Sequence, residues 1–163
     1  MSGGETAAAD VPPPDGFVPA RFSGNFLRDA GPYYLRKTEA CTIVGLRVRQ
    51  SHVNYVGVAH GGVLATMADV ALSLQPHLLD PGGLPVTTVS LTTNFLSAAK
   101  LGDWLEAECR IDRAGKRLAY TSGVIRCDDR VLMTMTGVFN LLRPPPVDPE
   151  QLESRGTGRG ADA

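Results

Sequence analysis

The chain has 163 residues, 43% of them hydrophobic, enough for one domain with a real core. Its formal net charge of -1 at pH 7 gives no electrostatic footprint for nucleic acid. No uncharged run of 18 or more apolar residues occurs, since Asp69 and Pro76 interrupt even 61–79, so no membrane-spanning helix is expected.

Residues 1–20 are rich in Gly, Ala and Pro, including Pro12-Pro13-Pro14, and read as a flexible N-terminal tail. The segment lacks a basic start followed by an apolar core, so it does not read as a signal peptide. Phe22, Phe26 and Leu27 at helical spacing predict a short amphipathic helix ending at Gly31-Pro32. Strands are predicted over 33–38 and 42–50, the second carrying Ile43, Val44, Leu46 and Val48. A loop over 51–59 follows, with Asn54 and Gly57 as turn formers.

The apolar run from Gly61 is too long for an ordinary strand and contains Ala, Leu and Met, which favour a helix. Val63, Leu64, Met67, Val70, Ala71 and Leu74 make it hydrophobic nearly all round, which places it at the centre of a domain. Its small residues Gly62, Ala65, Ala68, Ala71 and Ser73 would let a sheet approach closely. Pro76 and the Asp80-Pro81-Gly82-Gly83 turn are expected to end it.

Four more strands are predicted, over 86–96, 104–112, 118–127 and 131–142. Their connections are of hairpin length, so successive strands are expected to be antiparallel neighbours. The fold class is therefore α+β, a curved antiparallel sheet wrapped around one long central helix. The domain spans 21–142, and 143–163 form a second, Pro/Gly-rich tail.

Cys41, Cys109 and Cys127 show neither Cys-x-x-Cys nor Cys/His ligand spacing, which disfavours a zinc site or a disulfide framework. They read as reduced thiols in a cytoplasmic protein. No metal is expected.

Between Arg49 and Asp80 the chain holds one formally charged residue, Asp69, within an apolar helix. An unpaired buried carboxylate is costly, so this acid points to chemistry. His60-Gly61-Gly62 sets a helix N-terminus just upstream.

The string Asn54-Tyr-Val-Gly57-Val-Ala-His60-Gly61-Gly62-x6-Asp69 resembles the signature of hotdog-fold acyl-CoA thioesterases, in particular the phenylacetate-pathway (PaaI-like) branch. Three later stretches are similar in the same order: 87–96 to the first strand after the helix, Ser97–Asp103 to the turn that follows, and 115–121 to a later hairpin. The likeness covers roughly residues 33–142. It implies a hotdog fold, thioester hydrolysis of an aromatic or medium-chain acyl-CoA, and active sites at a homodimer interface, with dimers pairing into tetramers. It also implies a Ser or Thr hydroxyl holding the attacking water. Thr88 takes that place, with Thr87 the alternative register; strict alternation would turn Thr88 away from Val89, Leu91 and Phe95.

The remaining roles follow from physics. The Gly61 N–H, at the positive end of a helix, is a natural donor to a developing oxyanion. Glycine there also lets the thioester approach the main chain. Asp69 supplies the general base or nucleophile. Gly61 and Asp69 are eight residues apart, about 12 Å along a helix, too far to share one carbonyl. Asn54, His60 and Gly61 of one subunit are therefore expected to face Asp69 of another. Coenzyme A would be a substrate moiety rather than a cofactor, its phosphates met by Lys100, Lys116 and Arg117, with Gly62 also lining the substrate.

Each residue has a plainer role available. His60 would cap the helix, Asn54 would form an Asx turn, and Asp69 would bond a nearby Ser or Thr or face solvent. Gly62 would only permit packing, and Lys100, Lys116 and Arg117 would be solvated hairpin charges. His52 and His77 read as surface residues. The competing function is a non-catalytic acyl-CoA binding or sensing module. A hotdog dehydratase fits less well, because its usual Asp/His spacing is not matched.

Overall fold

The computed structural model describes residues 11–22 and 24–143. Among these residues, seven strands and two α-helices follow in the order β1 (Val18–Pro19), α1 (Asn25–Ala30), β2 (Tyr33–Lys37), β3 (Thr42–Arg47), α2 (Gly61–His77), β4 (Val86–Phe95), β5 (Trp104–Ala114), β6 (Leu118–Cys127) and β7 (Arg130–Leu141). The strands form one antiparallel sheet in the order β1-β2-β3-β5-β6-β7-β4. No described helix is long and apolar enough to cross a membrane.

The sheet packs on α2. Leu64, Met67, Ala68, Ala71, Leu72 and Gln75 recur at helical spacing and are buried, against Leu46, Leu105, Ile125, Met133 and Phe139 from the sheet. The helix is thus not covered all round: Ala65, Thr66, Asp69 and Ser73 lie on a half-buried stripe beside the β4 edge of the sheet. Pro76 does not end α2. It sits buried inside the last turn, and the helix closes at Leu78, whose N–H donates to the carbonyls of Leu74 and Pro76.

Two other expectations need correction. Segment 86–96 and segment 104–112 are not neighbours: β4 lies at an edge against β7, while β5 pairs with β3. The backbone between them bonds elsewhere, which is why no hairpin forms. Ala99 O accepts from the Ala59 N–H (2.8 Å), the Gly102 N–H donates to Val48 O (2.9 Å), and Lys100 bridges to Val58. Arg130 adds bonds to the Ala98 carbonyl and to the Asp103 carboxylate.

The sheet also begins before residue 21. Val18 and Pro19 pair with Leu35 and Tyr34, and Phe17 is buried edge-on to Trp104 at 5.0 Å between ring centroids. Gly45 makes the seat possible, since a Cβ there would lie 2.4 Å from the Trp104 ring. The expected tails over 1–10 and 144–163 lie outside the described residues.

Candidate active site

α2 starts at the residue expected of it. His60 is its N-cap, extended at φ -62 and ψ 137, and its Nδ1 accepts from the Gly62 N–H at 2.8 Å. With Nδ1 accepting, the ring's N–H is on Nε2, and the residue is exposed. Gly62 permits this contact: a Cβ would stand 3.0 Å from Nδ1. The Val63 and Leu64 amides donate to His60 O, so Gly61 keeps the first-turn N–H without a partner among the described residues. Phe95 of β4 packs beside it, its ring 3.5 Å from where a Gly61 Cβ would be.

Asn54 holds the preceding loop. Its Oδ1 accepts from the amides of Val56 (3.0 Å) and Val58 (3.3 Å), the Asx-turn role open to it from sequence.

At the middle of α2, Asp69 is half-buried, and Thr88 Oγ1 donates to its Oδ1 at 2.7 Å. The reason Thr88 rather than Thr87 reaches it is a β-bulge. β4 pairs Thr88 with Phe139 and Ser90 with Val138, leaving Val89 as an extra residue, 60% exposed. Beyond the bulge the alternation is reset, so Thr88 shares the helix-facing side with Leu91 and Phe95. The simple period-2 expectation, with Val89 on that side, fails for this reason.

Asp69 opens into a cleft of about 500 Å³. Its floor is the α2 stripe Ala65, Thr66, Asp69, Val70 and Ser73; Leu91 forms one wall, and Phe26 and Leu27 of α1 form the other. The floor hydroxyls are committed, Thr66 Oγ1 to Gly62 O (2.8 Å) and Ser73 Oγ to Val70 O (3.1 Å). Apart from Asp69, sequence reading did not assign these lining residues to the site. The signal was present: 65, 66, 69, 70 and 73 fall on one helical face, and small residues there leave room for a ligand rather than for the sheet.

The expected cations do not meet in one chain. Lys100 is exposed beside the Asn54 loop, at the α2 N-terminal end. Exposed Lys116 and Arg117 sit at the opposite end, where Arg117 O accepts from the Leu141 N–H. Nor are His52 and His77 surface residues. His52 is 3% exposed and its Nδ1 accepts from the Arg49 N–H (3.1 Å); burial is the main cause pushing its pKa down. His77 is half-buried, with Nδ1 2.8 Å from Leu84 O. The three cysteines are free, and burial raises the Cys109 and Cys127 thiols.

A family model described as the thioesterase superfamily matches residues 56–134. The protein named "Putative esterase PA0474" of Pseudomonas aeruginosa is 36% identical over 129 residues, 78% of this chain and 96% of that protein. Human acyl-coenzyme A thioesterase 13 is 34% identical over 80 residues, 49% of this chain and 56% of that enzyme. Among solved structures, BH2602 of Bacillus halodurans, crystallised with CoA, superposes with a TM-score of 0.62 at 25% identity, over 68% of this chain and 74% of that one.

Proposed function

The chain belongs to the thioesterase superfamily, and we propose that it hydrolyses an acyl-CoA carrying an aromatic or medium-chain acyl group to the free acid and CoA. The observation that carries this reading is the Asp69–Thr88 pair opening into an apolar cleft.

The site is completed by a second copy. Among the described residues β4 is an edge strand with one side unpaired, and its partner is the same strand of another subunit, antiparallel about a two-fold near Thr92. Gly61 lies by Phe95 and Asp69 by Thr88, positions equally far from Thr92 once Val89 is counted as the extra residue. The two-fold therefore carries each Asp69 towards the Gly61 of the other copy. The same operation brings Lys116 and Arg117 of the partner subunit to the end that holds Lys100, where they meet the CoA phosphates.

Thr88 donates its proton to Asp69 and keeps lone pairs that accept from a water, which sits beside the free Oδ2. Asp69 takes a proton as this water attacks the thioester carbon. The oxyanion forms against the partner's Gly61 N–H, and collapse expels the CoA sulfur, which regains the proton from Asp69. His60 Nε2–H and the Asn54 amide face the thioester end of the substrate.

Thiol release from a panel of acyl-CoAs is expected for the wild type and should fall by about 10² to 10⁴ in Asp69→Asn. No release from any member would favour a binding module, and an unaffected variant would remove Asp69 from the mechanism. Sharing between subunits is tested with Gly61→Pro, which deletes the N–H where proline is tolerated and after a residue already extended. Inactive Gly61→Pro and Asp69→Asn chains refolded together should regain about a quarter of wild-type activity, because half the dimers then hold one intact site. No recovery would place both groups in one chain. Solvent ¹⁸O entering Asp69 in a single turnover would replace the water route with direct attack.

A further inference from the structure

We infer that Phe26 of α1 is a specificity-determining residue that selects a hydrocarbon acyl group longer than acetyl; the inference rests on the reading of Asp69 as the hydrolytic acid. α1 is held by Leu27 and Ala30, which pack against the core, whereas Phe26 is 67% exposed and projects beside the cleft. Among the described residues nothing covers this large aromatic, and the void it borders leads to Asp69.

The chemistry of the cleft defines what fills it. Leu27, Val70 and Leu91 contribute only carbon, as does Ala65. The hydroxyl protons of Thr66 and Ser73 are donated to backbone carbonyls within α2, and that of Thr88 to Asp69. Apart from Asp69 and these hydroxyl oxygens the lining side chains are apolar, so hydrocarbon is what gains most from burial against them. From Ala65 to Ser73 the floor runs about 12 Å, with Asp69 midway, so a hexanoyl or phenylacetyl group starting at Asp69 extends along it and an acetyl group does not.

The test compares kcat/KM of wild type, Phe26→Ala and Phe26→Trp on acetyl-, hexanoyl-, phenylacetyl- and 4-hydroxyphenylacetyl-CoA. Wild type should prefer hexanoyl- and phenylacetyl-CoA. Phe26→Ala should lower these two about tenfold while leaving acetyl-CoA within about twofold, and Phe26→Trp should alter the longer substrates alone. An unchanged acyl profile in both variants would overturn the role of Phe26, as would an equal loss on acetyl-CoA, which marks a general disturbance. Faster turnover of the hydroxyphenylacetyl than of the phenylacetyl ester by wild type would overturn the preference for hydrocarbon. If wild type hydrolyses none of the four while Asp69→Asn behaves identically, the hydrolytic reading fails and this inference fails with it.

Discussion

Asp69 and Thr88 show how much rests on one hydroxyl. The 2.7 Å bond fixes one carboxylate oxygen and leaves Oδ2 without a partner among the described residues. Thr88→Val preserves shape and removes the donor, so kcat should fall about tenfold or more with little change in thermal stability. Thr88→Ser should retain most activity. Thr87 points the other way across the bulge, and Thr87→Val should stay within about twofold of wild type. Steady-state kinetics on the three variants checks all of this, and a Thr87→Val defect as large as that of Thr88→Val would contradict the register.

The loop between β3 and α2 acts as the element that sets the helix start. His52 ties it together: its carbonyl accepts from the His60 N–H at 2.8 Å, and its ring accepts from Arg49. Burial, reinforced by the charge of Arg49, depresses the His52 pKa against the opposing pull of the Gly31, Ala30 and Arg47 backbones. The unfolded chain takes up this proton at about pH 6.5 while the folded chain does not until lower pH. Below that point the unfolded state binds more protons, so this group costs stability as pH falls from about 6.5 towards the folded value. His52→Asn keeps an acceptor for Arg49 and removes the titration. Melting curves from pH 7 to 5 should therefore fall less steeply for the variant than for wild type; parallel curves would exclude His52 as a source of the acid sensitivity.

At the scale of the molecule, β4 is an edge strand beside the catalytic candidate, a position where unpaired backbone groups invite another strand. The proposed pairing about Thr92 would bring the two Thr92 side chains to adjacent cross-strand positions, about 4.5–5.5 Å between Cβ atoms. In a Cys41→Ser background, which removes the half-buried thiol, Thr92→Cys should give a covalent dimer under mild oxidation. A monomer on a non-reducing gel would rule out this register.

Periodicity and turn chemistry in the sequence determined the elements: α2 starts at Gly61, and the β6 bounds, Leu118–Cys127, are those read from the alternation. The sequence by itself also singled out Asp69, because a lone charge in an apolar run is visible without coordinates, and His60-Gly61, because helix starts have local chemistry. Only tertiary structure decided the strand order, since the 96–103 segment is satisfied by hydrogen bonds to residues far away in sequence. It likewise decided that Thr88 meets Asp69, through a bulge that one-residue alternation does not encode, and that Phe17 to Pro19 belong to the fold, through the gap that Gly45 leaves above Trp104. Local signals carry elements and isolated chemical oddities; register, crossovers and cleft walls arise from contacts between distant segments, and these exist only once the chain has folded.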